Sequence, residues 1–219
     1  QELCRVCAVS YREVNEVARA IDAEITVVSL EPTSSEGILN TIATAGMLAV
    51  LILALGPVSG AHFNPAVTLV MALRRELPAV DAAAYMLAQC AGAVAGAVLA
   101  HALFALPLIQ VATHDRSGLP TAFSDGVATF ALVFAILAVR RSRPEAVPYA
   151  VALVITAGYW WTASTSFANP AVTLARALTD TFSGIRPADA PGFVLAQIIG
   201  ALVGMGAYQL LFGPDKRQT

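Results

Sequence analysis

Beyond Glu36 the chain is a succession of long uncharged runs separated by short polar breaks. Residues 37–73 carry no charge, but Gly56-Pro57 interrupts them, which predicts a membrane-crossing helix over about Ile38 to Leu55 and a shorter apolar piece behind it. Three more crossings are read at about Ala82 to Leu106, where Pro107 stops the run, Leu119 to Val139 and Val147 to Thr162. A last one covers about Asp189 to Phe212, ahead of Gly213-Pro214. Short helices open near Asn64 and Asn169, each too brief to span a hydrocarbon core about 30 Å thick. The pattern therefore predicts five full spans and two half-length helices, arranged as a channel domain over 38–212 with a tail at 213–219.

The first 37 residues break this pattern. Arg12, Glu13, Glu16, Arg19, Asp22 and Glu24 stand close together, and at about 2.5 to 3.5 kcal/mol for each Asp or Arg at a helix centre they prevent a crossing. Val14, Val17, Ala18, Ile21 and Ile25 follow a helical period instead, so residues 1–37 are read as a charged segment outside the membrane.

An internal repeat ties the runs together. YMLAQCAGAVAGAVLAHALF at 85–104 matches FVLAQIIGALVGMGAYQLLF at 193–212, with Leu87, Ala88, Gln89, Gly92, Ala93, Gly96, Leu103 and Phe104 recurring at an offset of 108. The glycines four apart are read as close-packing positions. Asn-Pro-Ala-Val-Thr-Leu also occurs twice, at 64–69 and 169–174. Asparagine followed by proline is a helix start, with the asparagine as cap and the proline where its missing N–H costs nothing. Irregular backbone at membrane depth is tolerated only when it is buried in protein or lines a cavity, so two such starts imply a pore. If the halves are inverted, the positive ends of both half-helices meet near the midplane.

Composition narrows the function classes. With 57% hydrophobic and 13% charged residues and a mean hydropathy of +0.69, the chain is not an ordinary soluble globule. A single lysine, Lys216, and a net charge of -2 argue against a nucleic-acid surface. Cys4, Cys7 and Cys90 make no disulfide framework or zinc site, and no cofactor motif or catalytic constellation is spaced recognisably, so an enzyme is not expected.

The twin Asn-Pro-Ala motifs, the SGAHFNPAVTL segment, the Leu-Ala-Gln helices and the repeated halves resemble the major intrinsic proteins, the aquaporins and aquaglyceroporins, over about residues 38–212. The resemblance implies an all-α membrane protein with an inverted repeat and two re-entrant half-helices, here with the first span missing or replaced. It implies that Asn64 and Asn169, with Pro65, Ala66, Pro170 and Ala171, form the pore motifs, the asparagine amides donating to the passing solute. A homotetramer in the lipid bilayer, with one pore per subunit in a bacterial inner membrane, is implied as well.

Counting along the family's pattern puts the selectivity filter at Thr44, Ala157 (within one position), Ser166 and Val172, with no aromatic residue or histidine in the ring. The family's usual arginine after the second motif is replaced by Val172, which makes the opening wider and less polar. With NPAVTLARALTD this gate is similar to bacterial channels associated with arsenical resistance, and implies passage of glycerol-like polyols, neutral arsenite-type hydroxides and water. The competing expectation is a non-conducting membrane protein that lacks the first span.

Further residues have two readings each. Arg176, seven residues after Asn169 on the same helical face, either reaches lipid headgroups, the favoured reading, or restores a charge at the pore mouth. Asp125 is assigned to holding a re-entrant loop rather than to gating, and His62 to the vestibule or to a bond within its loop. His101, Trp160 and Trp161 are read as packing or interfacial anchors, and Cys90 as core filler. Arg74, Arg75, Arg140, Arg141, Arg143, Lys216 and Arg217 against Arg116, Arg176 and Arg186 favour a cytoplasmic C-terminus, which for five spans puts residues 1–37 outside.

Overall fold

The computed structural model describes residues 34–213, with side chains from residue 41. Helix α1 covers Ser34–Ser59, α2 Pro65–Leu73, α3 Ala79–Leu103 and α4 Leu119–Ser142; after a 3-10 turn at Pro144–Ala146 come α5 Val147–Trp161, α6 Pro170–Arg176 and α7 Ala190–Phe212. Every regular element among the described residues is helical. The expectation of a charged segment outside the membrane falls on residues 1–33, outside the described part, and on Ser34 to Gly37, which open α1.

Gly56-Pro57 does not end α1, contrary to the expected break. Proline near the end of a helix removes one backbone bond where few remain, and the last turn is closed by Gly60 N donating to Gly56 O at 2.9 Å and Ser59 Oγ donating to Leu55 O at 3.2 Å. Among the described residues four helices are long and apolar enough to cross a membrane by length and composition: Thr41–Ser59 within α1, and α3, α4 and α7. The fifth expected span, α5, has 15 residues, about 22 Å of α-helix, and reaches bilayer thickness only with the preceding turn. Helix α3 begins before Ala82 and takes Asp81 into its first turn, where an acid favours the helix dipole.

The repeat is visible in the packing. Each half-helix lies against the long helix that follows it, α2 on α3 and α6 on α7, and against that helix's counterpart, α2 on α7 and α6 on α3, while α1 packs on α5. The α4–α7 contact is backbone to backbone: a Cβ on Gly200 would collide with Gly126 O, one on Gly126 would lie 2.9 Å from Ala196 O, and one on Gly204 would lie 2.8 Å from Phe130 O. The core between α1, α2, α4, α5 and α7 holds Ile52, Val67, Val70, Leu132, Ile136 and Tyr208. Val50, Leu87, Leu99, Leu153, Leu195, Val203 and Leu210 point outward instead, as expected of helices solvated by lipid.

Candidate functional site: a pore between two half-helices

Asn64 and Asn169 adopt nearly the same extended backbone, φ -156 in both, and the same cap: Oδ1 of Asn64 accepts from Ala66 N at 2.9 Å, and Oδ1 of Asn169 from Ala171 N at 3.0 Å. Each amide nitrogen then crosses to the other loop. Asn64 Nδ2 donates to Ala168 O at 2.7 Å and Asn169 Nδ2 to Phe63 O at 2.8 Å. The two half-helix starts are thus braced against one another, and one amide hydrogen of each asparagine is left over, because an amide carries two.

The loops before these caps share a conformation that composition does not advertise. Gly60, Ala61 and Phe63, at four, three and one residues before Asn64, have positive φ, as do Thr165, Ser166 and Ala168 at the same distances before Asn169. Five of the six are not glycine, and such residues cost about 1 to 3 kcal/mol each unless their surroundings over-determine them.

Both asparagines line a cavity of about 280 Å³. Its walls are ladders of residues four apart: Thr44, Leu48 and Ile52 from α1, Leu132, Ile136 and Arg140 from α4, and Val147, Val151, Ile155 and Tyr159 from α5. From the half-helices come Val67 and Met71 of α2 and Val172 and Arg176 of α6, at three and seven residues past each asparagine. The lining is therefore polar along the asparagines, His62, Ser166 and the Arg176 end, and mostly aliphatic along α1, α4 and α5, where Thr44, Arg140 and Tyr159 are the polar members.

Of the residues counted into the filter, Thr44, Ser166 and Val172 line this cavity and Ala157 does not. Ala157 is exposed on another side of α5, and its neighbour Gly158 is buried with no room for a Cβ against Ser166. Tyr159 occupies that wall, so an aromatic side chain does face the cavity, contrary to the expected ring. The count from the motif carries an assumed loop length; the four-residue ladder along α5 is the signal that finds Tyr159.

Arg176 is the larger departure from expectation. It is 2% exposed and does not reach outward to headgroups. Its Nη2 donates to Tyr159 Oη at 2.8 Å, its guanidinium lies 4.2 Å from the centre of the Phe167 ring, and it lines the cavity. Arg116, counted among the loop arginines by sequence, is also buried: Nε donates to Gly184 O at 2.7 Å, Nη2 to Phe182 O at 2.9 Å and Nη1 to Ser164 O at 3.2 Å, with the guanidinium 4.9 Å from the Phe167 ring centre. Burial, then the neighbouring Arg176 charge, lowers the Arg116 guanidinium to about 10, so it remains charged at neutral pH.

Asp125, fully buried, gathers three donors: Gln197 Nε2 at 2.6 Å, Ser164 Oγ at 2.8 Å and Ala168 N at 3.3 Å. Through Ala168, whose carbonyl receives Asn64, the carboxylate is two bonds of a chain away from the pore. In the other half Gln89 Nε2 donates to Thr68 Oγ1 at 3.1 Å, and His62 Nδ1 lies 3.2 Å from the same hydroxyl while the His62 ring also lines the cavity. At the Arg140 end, Glu76 pairs with Arg140 at 2.7 Å and with Arg74 at 2.8 Å. His101 is buried, with Nδ1 3.0 Å from Leu108 O, while Trp160 and Trp161 are exposed at the end of α5. Cys90 packs beside Ala93, Ala97 and Ala171. Among the described residues no group of His, Cys, Asp or Glu could hold a metal ion.

Apolar spanning helices around a cavity onto which two capped half-helices converge define a membrane channel for small neutral solutes, not an enzyme. Residues 16–147 and 142–219 match the family model described as major intrinsic protein, a match that begins inside the charged first segment. The chain belongs to the major intrinsic protein family. It is 55% identical to aquaglyceroporin AqpS of Rhizobium meliloti (strain 1021) over 183 residues, 82% of this chain and 78% of that protein. It is 29% identical over 204 residues to aquaporin NIP6-1 of Arabidopsis thaliana, covering 88% of this chain and 64% of the relative. To aquaporin NIP2-1 of Oryza sativa subsp. japonica it is 32% identical over 179 residues, 78% of this chain and 58% of the relative. The chain thus spans a little under two thirds of the length of these plant relatives.

Proposed function

We propose that the chain is a passive channel for glycerol-like polyols and for neutral trihydroxides of arsenite type, with water as a smaller passenger, working as a homotetramer in a bacterial inner membrane. The observation that carries this reading is the division of the lining. A polyol presents hydroxyls along one edge and C–H along the other, and the cavity takes the spare amide hydrogens of Asn64 and Asn169 and the Ser166 hydroxyl from the half-helix loops, and Leu48, Ile52, Leu132, Ile136 and Val151 from α1, α4 and α5. A neutral trihydroxide of similar outline fits the same division. Val172 in the family's arginine position leaves that wall aliphatic. The name of the rhizobial relative, an aquaglyceroporin, supports the same solute class.

Proteoliposomes in an inward glycerol gradient test the reading. Faster swelling than in protein-free vesicles is expected, as is faster uptake of arsenite at neutral pH; equal rates for both solutes overturn it.

A further inference from the structure

Among the lining residues of the two half-helices themselves, the pseudo-symmetry is broken at one place. Val67 and Val172 correspond, each three residues past its asparagine, but at seven residues past the asparagines the counterpart of Met71 is Arg176. The guanidinium of Arg176 is placed rather than loose: Tyr159 Oη accepts from Nη2 at 2.8 Å and the Phe167 ring lies beneath it at 4.2 Å. Its Nε and Nη1, both buried, have no protein partner among the described residues. Buried donors are rarely left unpaired, so two N–H groups at a cavity wall point to a recurring acceptor among whatever occupies the cavity.

We propose that Arg176, held by Tyr159, is the specificity-determining charge of this pore: it excludes cations and offers Nε and Nη1 to the hydroxyl oxygens of a neutral solute. The charge that the family carries at position 172 is thereby not lost but moved one helical turn along α6. A cavity wall that stays aliphatic at Val172 then coexists with a positive barrier, which repels cations through low-dielectric surroundings while leaving neutral solutes unhindered. Arg116, 4.9 Å from the same Phe167 ring, adds a second positive charge at this end but is committed to three carbonyls. Arg176 is the guanidinium with donors to spare.

This inference rests on the channel reading above, and the test separates the two. Wild-type, Arg176→Gln, Arg176→Lys and the double variant Val172→Arg with Arg176→Met are reconstituted and assayed for glycerol swelling and for sodium efflux. Wild-type vesicles should swell in glycerol and stay sodium-tight; Arg176→Lys and the double variant, in which methionine copies its counterpart Met71, should stay sodium-tight too, whatever their glycerol flux. Arg176→Gln keeps a donor and loses the charge, and sodium efflux should rise at least about tenfold, equivalent to about 1.4 kcal/mol of lost barrier. Wild-type vesicles that fail to swell reject the channel reading. Swelling wild type with Arg176→Gln remaining as sodium-tight overturns the proposal and leaves the barrier to the half-helix dipoles and Arg116. Should Arg176→Gln not assemble, sodium leak through the single variant Arg176→Met, with Val172 unchanged, decides in the same way: tight vesicles overturn the proposal.

Discussion

Replacing Asp125 by alanine is the most informative single change to the scaffold, because the carboxylate joins α4, α7 and the loop before Asn169. Three bonds disappear, but not all three donors are stranded. Gln197 Nε2 keeps Thr173 Oγ1 at 2.8 Å, and Ser164 Oγ has Thr162 Oγ1 within 3.4 Å. Ala168 N has no such second acceptor. An orphaned buried donor costs about 1 to 3 kcal/mol, and each lost bond to a charged or polar acceptor about 1 kcal/mol more; removing a buried acidic group returns part of this. A net loss of roughly 2 to 4 kcal/mol is expected, or about 4 to 15 °C in apparent melting temperature for a chain of this size. Thermal unfolding in detergent measures it, with glycerol swelling recorded in parallel. Flux should fall with stability, since Ala168 presents its carbonyl to Asn64 only while its own N–H is anchored. Asp125→Asn should lie between, keeping the acceptor for Ser164 and Ala168 while its amide can turn to Gln197 Oε1, which is otherwise without a partner. An alanine variant melting within about 2 °C of wild type, with normal flux, would refute this chain of support.

Three further outcomes are expected. Val172→Arg should lower the ratio of glycerol to water permeability in stopped-flow swelling by about tenfold, as a long polar side chain narrows the aliphatic wall; an unchanged ratio places the neck elsewhere. Gly200→Ala should destabilise the protein by about 1 to 3 kcal/mol, because its Cβ meets Gly126 O across the α4–α7 contact, whereas Gly206→Ala, with nothing within 4 Å, should be neutral in the same melt. For Glu76, burial pushes the carboxyl up, but the hydrogen bonds and charges of Arg140 and Arg74 outweigh it and hold the carboxyl below its usual 4.5. A depressed native value means that this pairing stabilises above the unfolded value and is lost as pH falls through the native one. The stability gap between wild type and Glu76→Gln, read from melts at a series of pH values, should therefore be present at pH 7 and close below about pH 4.5.

The all-α fold was legible because its cues are local. Uncharged runs, proline and glycine at their ends, and the asparagine-proline starts act within a few residues, and the long helices match to within a few positions. Pro57 misled because a proline ends a helix only where interior bonds depend on its N–H; in the last turn it is accommodated. The left-handed backbone of Ala61, Phe63, Ser166 and Ala168 could not be read, since none is a residue that favours positive φ; the cross-bracing of the two asparagine caps imposes it. Arg176 illustrates a further limit. Its spacing from Asn169 put it on the same helical face, yet whether that face meets lipid or a pore depends on Tyr159 and Phe167, contributed by other segments.

The central claim, a conducting pore lined by the two asparagine caps, is tested most directly by stopped-flow glycerol swelling of proteoliposomes carrying wild type or Asn64→Asp at equal reconstitution. The substitution keeps the cap oxygen for Ala66 but sets a carboxylate oxygen against Ala168 O, where the amide donated at 2.7 Å. Wild-type vesicles are expected to swell well above the protein-free rate and with weaker temperature dependence than bare lipid, and Asn64→Asp to lose about tenfold or more of that flux. Wild-type swelling at the bare-lipid rate, or Asn64→Asp swelling as fast as wild type, would contradict the account.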